Sequence, residues 1–393
     1  MKIAIYANGP TFFENNPLQR YLHKIIDRPV IAYPITMANK FENSGTYIIG
    51  LADTKTAGVV KNLFPFAEFI SYDEAPTFFS KFDEEVLVIQ GDDCKISEEV
   101  ISSLIFTHTK LKNDVTTVKN TNKRSRTHHP YLVNSSKFNS MDRLLDQSAE
   151  RIYYTNINYA PKALTFVKEV SLAAGLISHQ NCTALEEIGV TIVDTNHAST
   201  FIGIDVTADA GAVIYPNTWL TGKTHISSCA EIMPNSRIED STIGTFTRVD
   251  QSVITSSTVG NNTTVGPFAH IRPTSTVGSH CRVGNFVEVK NTAIADNSKA
   301  GHLTYLGDSV IGSKVNIGCG TITANYDGKE KLTTTIQDNV FVGSNSILVA
   351  PVTIGEGSTT AAGSVITNEV PPCSLGIARS RQIVKEGWAN KNQ

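Results

Sequence analysis

Residues 259–289 read VGNNTTVGPFAHIRPTSTVGSHCRVGNFVEV, and an aliphatic residue returns at every sixth position: Val259, Val265, Ile271, Val277, Val283 and Val289. The same beat runs upstream through Ile214, Leu220, Ile226, Ile232 and Ile238, and downstream through Ile336, Val342, Leu348 and Ile354. A period of six fits neither a helix, at 3.6 residues per turn, nor a half-buried strand, at two. It predicts a left-handed parallel β-helix of hexapeptide repeats, in which each hexad forms one flat side of a triangular coil and its aliphatic residue fills the core. Small or turn-forming residues follow the aliphatic one, as in Val259-Gly260-Asn261-Asn262 and Val265-Gly266-Pro267.

The beat starts near Gly189 and ends near Val370, which predicts a β-helix domain over 189–376 and a tail over 377–393. It fails in two places. Residues 323–333 (TANYDGKEKLT) are polar apart from Leu332 and predict a loop extruded from the solenoid. Lys299–Asp308 (KAGHLTYLGD) carries a histidine and a tyrosine where small residues are regular. Two breaks so close in coil count predict one site.

Residues 1–188 follow another grammar. Ile3–Ala7, Thr46–Ala52 and Glu85–Gln90 read as strands, while Pro29–Asn39, Ser97–Ile105 and Val170–Glu187 have helical character. This alternation predicts a Rossmann-like α/β domain with a mainly parallel sheet. Residues 121–130 (TNKRSRTHHP) read as a solvated loop. A chain of 393 residues suits two such domains. Its net charge of −3, with 18% charged residues, creates no field that favours nucleic acid. No apolar run approaches the roughly 20 residues that cross a bilayer. Met1–Tyr6 lacks the layout of a signal peptide, and the six cysteines include no C-x-x-C pair, so a reducing cytoplasm is expected.

The segments HIRPTSTVG (270–278), VGNFVEVKN (283–291), GHLTYLGDSVIG (301–312), VNIGCGTITANYDGKEK (315–331), FVGSNSILVAPVTIG (341–355) and IARSRQ (377–382) resemble the acetyltransferase domain of the GlmU family. That family acetylates glucosamine-1-phosphate with acetyl-CoA. It then uridylylates the product to UDP-N-acetylglucosamine for cell-wall peptidoglycan. The resemblance implies residue roles. His302 matches the catalytic base, which an amine attacking a thioester requires. Arg272 and Lys290 match the cations that hold the substrate phosphate; they lie three hexads apart, a spacing that stacks them on adjacent coils. Tyr305 and Asn316 match sugar contacts. Asn325, Tyr326 and Lys331 match the loop that closes over substrate and cofactor. Cys319, Ser344, Ala362 and Arg379 match acyl-CoA contacts. The resemblance also implies a homotrimer with active sites between neighbouring prisms.

In the first half the resemblance is incomplete. The family opens with a glycine-rich phosphate loop, L-A-A-G-x-G-T-R-M; here Tyr6–Phe13 (YANGPTFF) keeps one glycine, lacks the arginine, and Pro10 removes an N–H donor. Leu18–Lys24 (LQRYLHK) resembles the family's L-P-K-V-L-H-K, with Arg20 at the lysine. Asp92, in Gly91-Asp92, matches the aspartate that binds Mg²⁺. Its companion asparagine has no counterpart near Val167-Lys168-Glu169, and no G-T-A-H-A uridine loop is present. A magnesium ion is thus expected only with an active first domain, and these losses argue against nucleotidyl transfer.

The reading that follows is an acetyl-CoA-dependent glucosamine-1-phosphate N-acetyltransferase with an inactive first domain. A full bifunctional enzyme and a non-catalytic, sugar-nucleotide-binding regulatory partner are the alternatives. A zinc hydratase built on His225, His270, His280 and His302 is disfavoured, because His270 and His280 lie ten residues apart, off any multiple of six.

Overall fold

The computed structural model describes residues 1–7, 21–22, 24–26, 28–51, 54–94, 96–119, 130–134, 152–158, 167–194, 196–386 and 388. The chain folds as two units, Met1–Ile177 and Ser178–Gln393.

The first unit is an α/β sheet. Strands β1 (Lys2–Tyr6), β4 (Thr46–Ile49), β5 (Glu68–Ile70) and β6 (Glu85–Gln90) run parallel in the order β5-β4-β1-β6. Strand β8 (Tyr131–Asn134) then pairs antiparallel with both β6 and β7 (Val115–Lys119), and β9 (Ile152–Asn158) closes the edge parallel to β7. A two-residue hairpin joins β2 (Lys24–Ile25) to β3 (Arg28–Pro29). The centre of the sheet is buried on both faces: every residue of β1 and β4 is buried, as expected for apolar strands covered by helices. Among the described residues the helices are α1 (Ala32–Ala38), α2 (Thr54–Leu63), α3 (Ala75–Phe79), α4 (Glu98–Leu111) and α5 (Val167–Glu187). Helix α4 shows why these segments are helical. Ser97 caps it by accepting the Val100 N–H, Glu98 and Glu99 sit in the first turn, and Lys112 ends it at φ +50°.

The second unit is a prism of short parallel strands. Three faces recur in every coil. Around the centre the first face carries 264–265, 282–283 and 299–300, the second 253–254, 270–271 and 288–289, and the third 258–259, 276–277 and 293–294. All the hexad aliphatics named above are buried in one continuous core. The sequence beat left a gap between Ile238 and Val259. The structure fills it with Ile243, Val249 and Ile254, each fully buried. Arg237 pairs with Val253, 16 positions on, whereas Trp219 pairs with Arg237, 18 positions on. The coil there is tightened at its turns, and a fixed six-residue template cannot follow it.

The second half of α5 packs into the same core through Cys182 and Leu185. Ser178 Oγ donates to the Thr200 carbonyl at 2.7 Å and Asn181 Nδ2 to that of Ile202 at 2.8 Å, so polar side chains complete the first coil. Burial pushes the Cys182 thiol up to about 12, which keeps it protonated and inert.

The Lys299–Asp308 segment differs from its expected break. It is one continuous strand, Lys299–Gly307, whose Ala300 and Leu306 point into the core. His302 and Tyr305 occupy outward positions, so the core needs nothing from them and the coil is uninterrupted. The 323–333 segment does leave the prism. Asn316 pairs with Phe341, 25 positions on, where Lys299 pairs with Asn316 at 17.

Candidate active site

The first and second faces meet at a corner formed by residues with positive φ: Phe286 (56°), Leu303 (46°), Gly320 (75°), Asn345 (56°) and Gly363 (71°). The residue just before each of these is Asn285, His302, Cys319, Ser344 and Ala362. Each lies three positions after paired first-face residues, Arg282, Lys299, Asn316, Phe341 and Thr359, so the five stack one coil apart. Arg379 continues the column, its Cδ 3.9 Å from a Cβ built on Gly363. With coils about 4.8 Å apart, His302 and Arg379 stand roughly 19 Å from each other along one edge. The expected base and four of the expected acyl-CoA contacts therefore form a single line.

His302 is exposed, and its Nδ1 lies 2.6 Å from Asn285 Oδ1. That contact depends on a glycine. A Cβ on Gly284 would fall inside contact distance of the Gly301 carbonyl oxygen and 2.7 Å from its carbon. Only a residue with no side chain lets the two nine-residue strands approach this closely.

A second cluster gathers where the second and third faces meet. Arg272, Lys290, Asp308 and Lys331 line a cavity of about 680 Å³. Arg272 stacks on Lys290, since His270 and Ile271 pair with Glu288 and Val289. Arg272 Nη1 is held by Glu288 Oε1 at 2.8 Å. Lys290 Nζ lies 3.6 Å from Asp308 Oδ2, and Asn291 Nδ2 donates to Asp308 Oδ1 at 2.6 Å. Asn325, buried at the base of the loop, donates to the other oxygen of Asp308. The loop folds back on itself. Tyr326 pairs with Lys331, and Asp327 Oδ1 accepts the N–H groups of Lys329 and Glu330 at 2.8 and 2.7 Å. Tyr326 is exposed, its hydroxyl donating to the Gly328 carbonyl at 2.8 Å. Tyr305 lies on the second face between the two clusters. A Cβ on Gly307 would collide with its hydroxyl, so Gly307 makes room for that group beside Asn325.

Asn316 goes elsewhere. It sits exposed on the first face, paired with Lys299, away from the cation cluster. The four histidines also separate: His225 lies on the third face, His270 on the second, and His280 and His302 at different corners. Among the described residues no group of three or more His, Cys, Asp or Glu side chains could hold a metal.

Charges in the cluster are coupled. The Lys290 and Lys331 amines lie side by side; that contact, with the Lys290 charge, holds Lys331 below its ordinary value, while the contact and the Asp308 charge raise Lys290. For Asp308, burial pulls the carboxyl up. Hydrogen bonds from Asn291 and Asn325 and the charges of Lys290 and Lys331 outweigh it, and the carboxyl is held below the ordinary aspartate value. The stability this ionised group contributes is complete above the ordinary carboxylate range and is lost as pH falls through the lowered value. Asp308→Asn is expected to be about 2 kcal/mol less stable at neutral pH. The gap should narrow by pH 3, below the ordinary aspartate pKa of about 3.9, and close only beneath the lowered folded-state value. Denaturant unfolding of both proteins at the two pH values measures this; an equal gap at both would mean the charge is not what stabilises.

In the first unit, Asp92 is buried in the turn after β6, and the N–H of the preceding Gly91 donates to the Tyr6 carbonyl at 2.6 Å. This is the carboxyl end of the sheet where strand order reverses, a common ligand position in α/β folds. Val167–Glu169 opens α5. Residues 8–20, 23 and 120–129, with the degenerate phosphate loop, Arg20 and the basic segment, lie outside the described residues. The companion asparagine has no counterpart in the sequence, which leaves Asp92 as the one recognisable magnesium ligand of this motif.

Asn285, Glu288 and Asp308 contact the candidate residues His302, Arg272 and Lys290, and sequence reasoning did not single them out. For Asn285 and Asp308 the one signal was the offset of 17 that links Asn285 to His302 and Asn291 to Asp308, one residue short of three hexads; Glu288 lies 16 positions from Arg272.

A family model described as the GMPPB C-terminal domain matches residues 253–370. "Bifunctional protein GlmU" of Fervidobacterium nodosum is 35% identical over 450 aligned positions that cover 100% of this chain and 98% of the relative. The protein of the same name from Thermotoga maritima is 31% identical, covering 100% and 99%. That from Caldanaerobacter subterraneus is 57% identical over 205 residues, 52% of this chain and 44% of the relative.

Proposed function

The chain belongs to the GlmU family, and from that premise we propose that it transfers the acetyl group of acetyl-CoA to the amine of glucosamine-1-phosphate. The product is N-acetylglucosamine-1-phosphate, on the route to UDP-N-acetylglucosamine and peptidoglycan in the cytoplasm. One observation carries the reading: Cys319, Ser344, Ala362 and Arg379, the positions expected to meet acyl-CoA, line up along one corner with His302, and one prism face separates that line from a cavity lined by Arg272, Lys290 and Lys331.

The chemistry follows from the residues. The sugar phosphate is held by Arg272, Lys290 and Lys331, with the Arg272 fork suited to two phosphate oxygens. Tyr305 and the Asn325 loop steer the sugar across the second face. Its amine attacks the thioester carbonyl, His302 takes the amine proton at Nε2, the C–S bond breaks, and the CoA thiolate leaves. No acyl-enzyme is required.

Self-association into a homotrimer is part of this proposal. Phe268, Phe286 and Leu303 project from the catalytic corner at 52, 56 and 59% exposure, and the two phenylalanine rings stack at 5.5 Å. An apolar edge of that kind beside polar site residues suits an interface. Asn316, on the first face, reaches a sugar only if that face borders another prism. Nucleotidyl transfer by the first unit is not part of the proposal, because the phosphate loop and second metal ligand are missing.

The test is thiol release from acetyl-CoA with glucosamine-1-phosphate as acceptor, with pyrophosphate release from UTP and N-acetylglucosamine-1-phosphate measured in parallel. CoA release without pyrophosphate is expected. No CoA release would sink the proposal. Pyrophosphate release would establish the bifunctional alternative, which the name of the relatives favours.

A further inference from the structure

We propose that Asn285 is the positioning residue of the acetyl transfer, holding His302 in the one tautomer that can act as its base; this rests on the function proposed above. The imidazole has two nitrogens, and a neutral ring carries a proton on only one of them. Nδ1 faces Asn285 Oδ1 at 2.6 Å. An amide oxygen can only accept, so this contact places the proton on Nδ1 and leaves a lone pair on Nε2. Nε2 then takes one proton from the attacking amine as the N–C bond forms and the C–S bond breaks. The resulting imidazolium keeps its Nδ1–H on Asn285, then returns the Nε2 proton to the departing thiolate or to water. The books balance: amine and thioester become amide and thiol.

The backbone supports this role. Asn285 and His302 are opposed in register, each just before a corner residue with positive φ, so the chain fixes both Cα positions. Asn285 belongs to neither the phosphate cavity nor the acyl-CoA positions named above.

The experiment compares the full chain with Asn285→Ala and Asn285→Asp. Imidazole ¹⁵N shifts of histidine-labelled protein, assigned by the signals lost in His302→Ala, are expected to show Nδ1 protonated in the neutral parent ring. That preference should vanish in Asn285→Ala. CoA release should fall about 10- to 100-fold in kcat for Asn285→Ala, with KM for both substrates within about two-fold. In Asn285→Asp a carboxylate accepts the same N–H, so activity is retained at high pH and the acid limb of the kcat profile moves up by about one pH unit. Cys319, Glu288 and Tyr305, the ionisable neighbours on the adjoining coil and face, are unchanged in both variants, which ties the shift to position 285. A parent ring protonated at Nε2, or an unmoved profile in Asn285→Asp, would overturn the proposal. If the parent has no acetyltransferase activity, the function fails separately, and the ¹⁵N shifts still decide whether Asn285 sets the tautomer.

Discussion

Replacing His302 with alanine is expected to lower kcat for acetyl transfer by about 10²- to 10⁴-fold, the range for loss of a positioned general base. The reason lies in the amine. A neutral amine that attacks a carbonyl becomes cationic, and the tetrahedral species reverts unless that proton leaves. His302 stands at the head of the corner line, where the thioester end of the acyl-CoA would lie, and its Nε2 is free because Nδ1 is engaged by Asn285. The side chain is exposed and outside the core, so the variant should keep the parent's thermal unfolding temperature and its KM for glucosamine-1-phosphate, whose proposed phosphate site lies one face away. CoA release followed from pH 6 to 9 is the measurement. A loss under about five-fold at every pH would mean that solvent takes the proton and His302 is not the base.

Gly284→Ala is the second large effect. The added methyl would press on the backbone carbonyl of Gly301, where no flexible side chain can give way. Overpacking at such a place costs about 1–3 kcal/mol. The nine-residue strands Arg282–Lys290 and Lys299–Gly307 would have to separate, and Asn285 would move away from His302. A displacement near 1 Å is enough for a loss of about 100-fold in kcat. Denaturant unfolding combined with CoA release reads both consequences. Gly301→Ala is the control, since a Cβ there meets nothing within 4 Å. Equal effects of the two substitutions would refute the close-approach argument.

The fold was legible in the sequence wherever one coil used three full hexads. Ile271, Val277, Val283 and Val289 could be assigned to the core by counting, and all are buried. Counting failed between Ile238 and Val259, where turns lose a residue and the period shortens. It also misread Lys299–Asp308 as a break, because a histidine and a tyrosine are unusual in a hexad but harmless on its outer surface.

The site was legible one residue at a time. His302, Arg272 and Lys290 were marked as candidates by motifs, and the 323–333 loop by its polarity. The partners of these residues were not. Asn285 and Glu288 lie inside VGNFVEVKN and Asp308 inside GHLTYLGDSVIG, yet nothing local marks an asparagine as the partner of a histidine 17 positions away. Nor does anything local show that a single aspartate joins Lys290, Asn291 and Asn325.

By itself, then, the sequence determined that residues of the second half recur every six positions and which of them face inward. Core burial depends on one property, apolarity at a fixed interval, and a linear pattern records it. What tertiary structure alone decided is which outward residues meet: His302 with Asn285, Asp308 with the loop, Asn316 on a different face from the cations. Those meetings depend on the length of each coil and on the turn at each corner. A shift of one residue moves a side chain to another face, and the hexad beat does not record that shift.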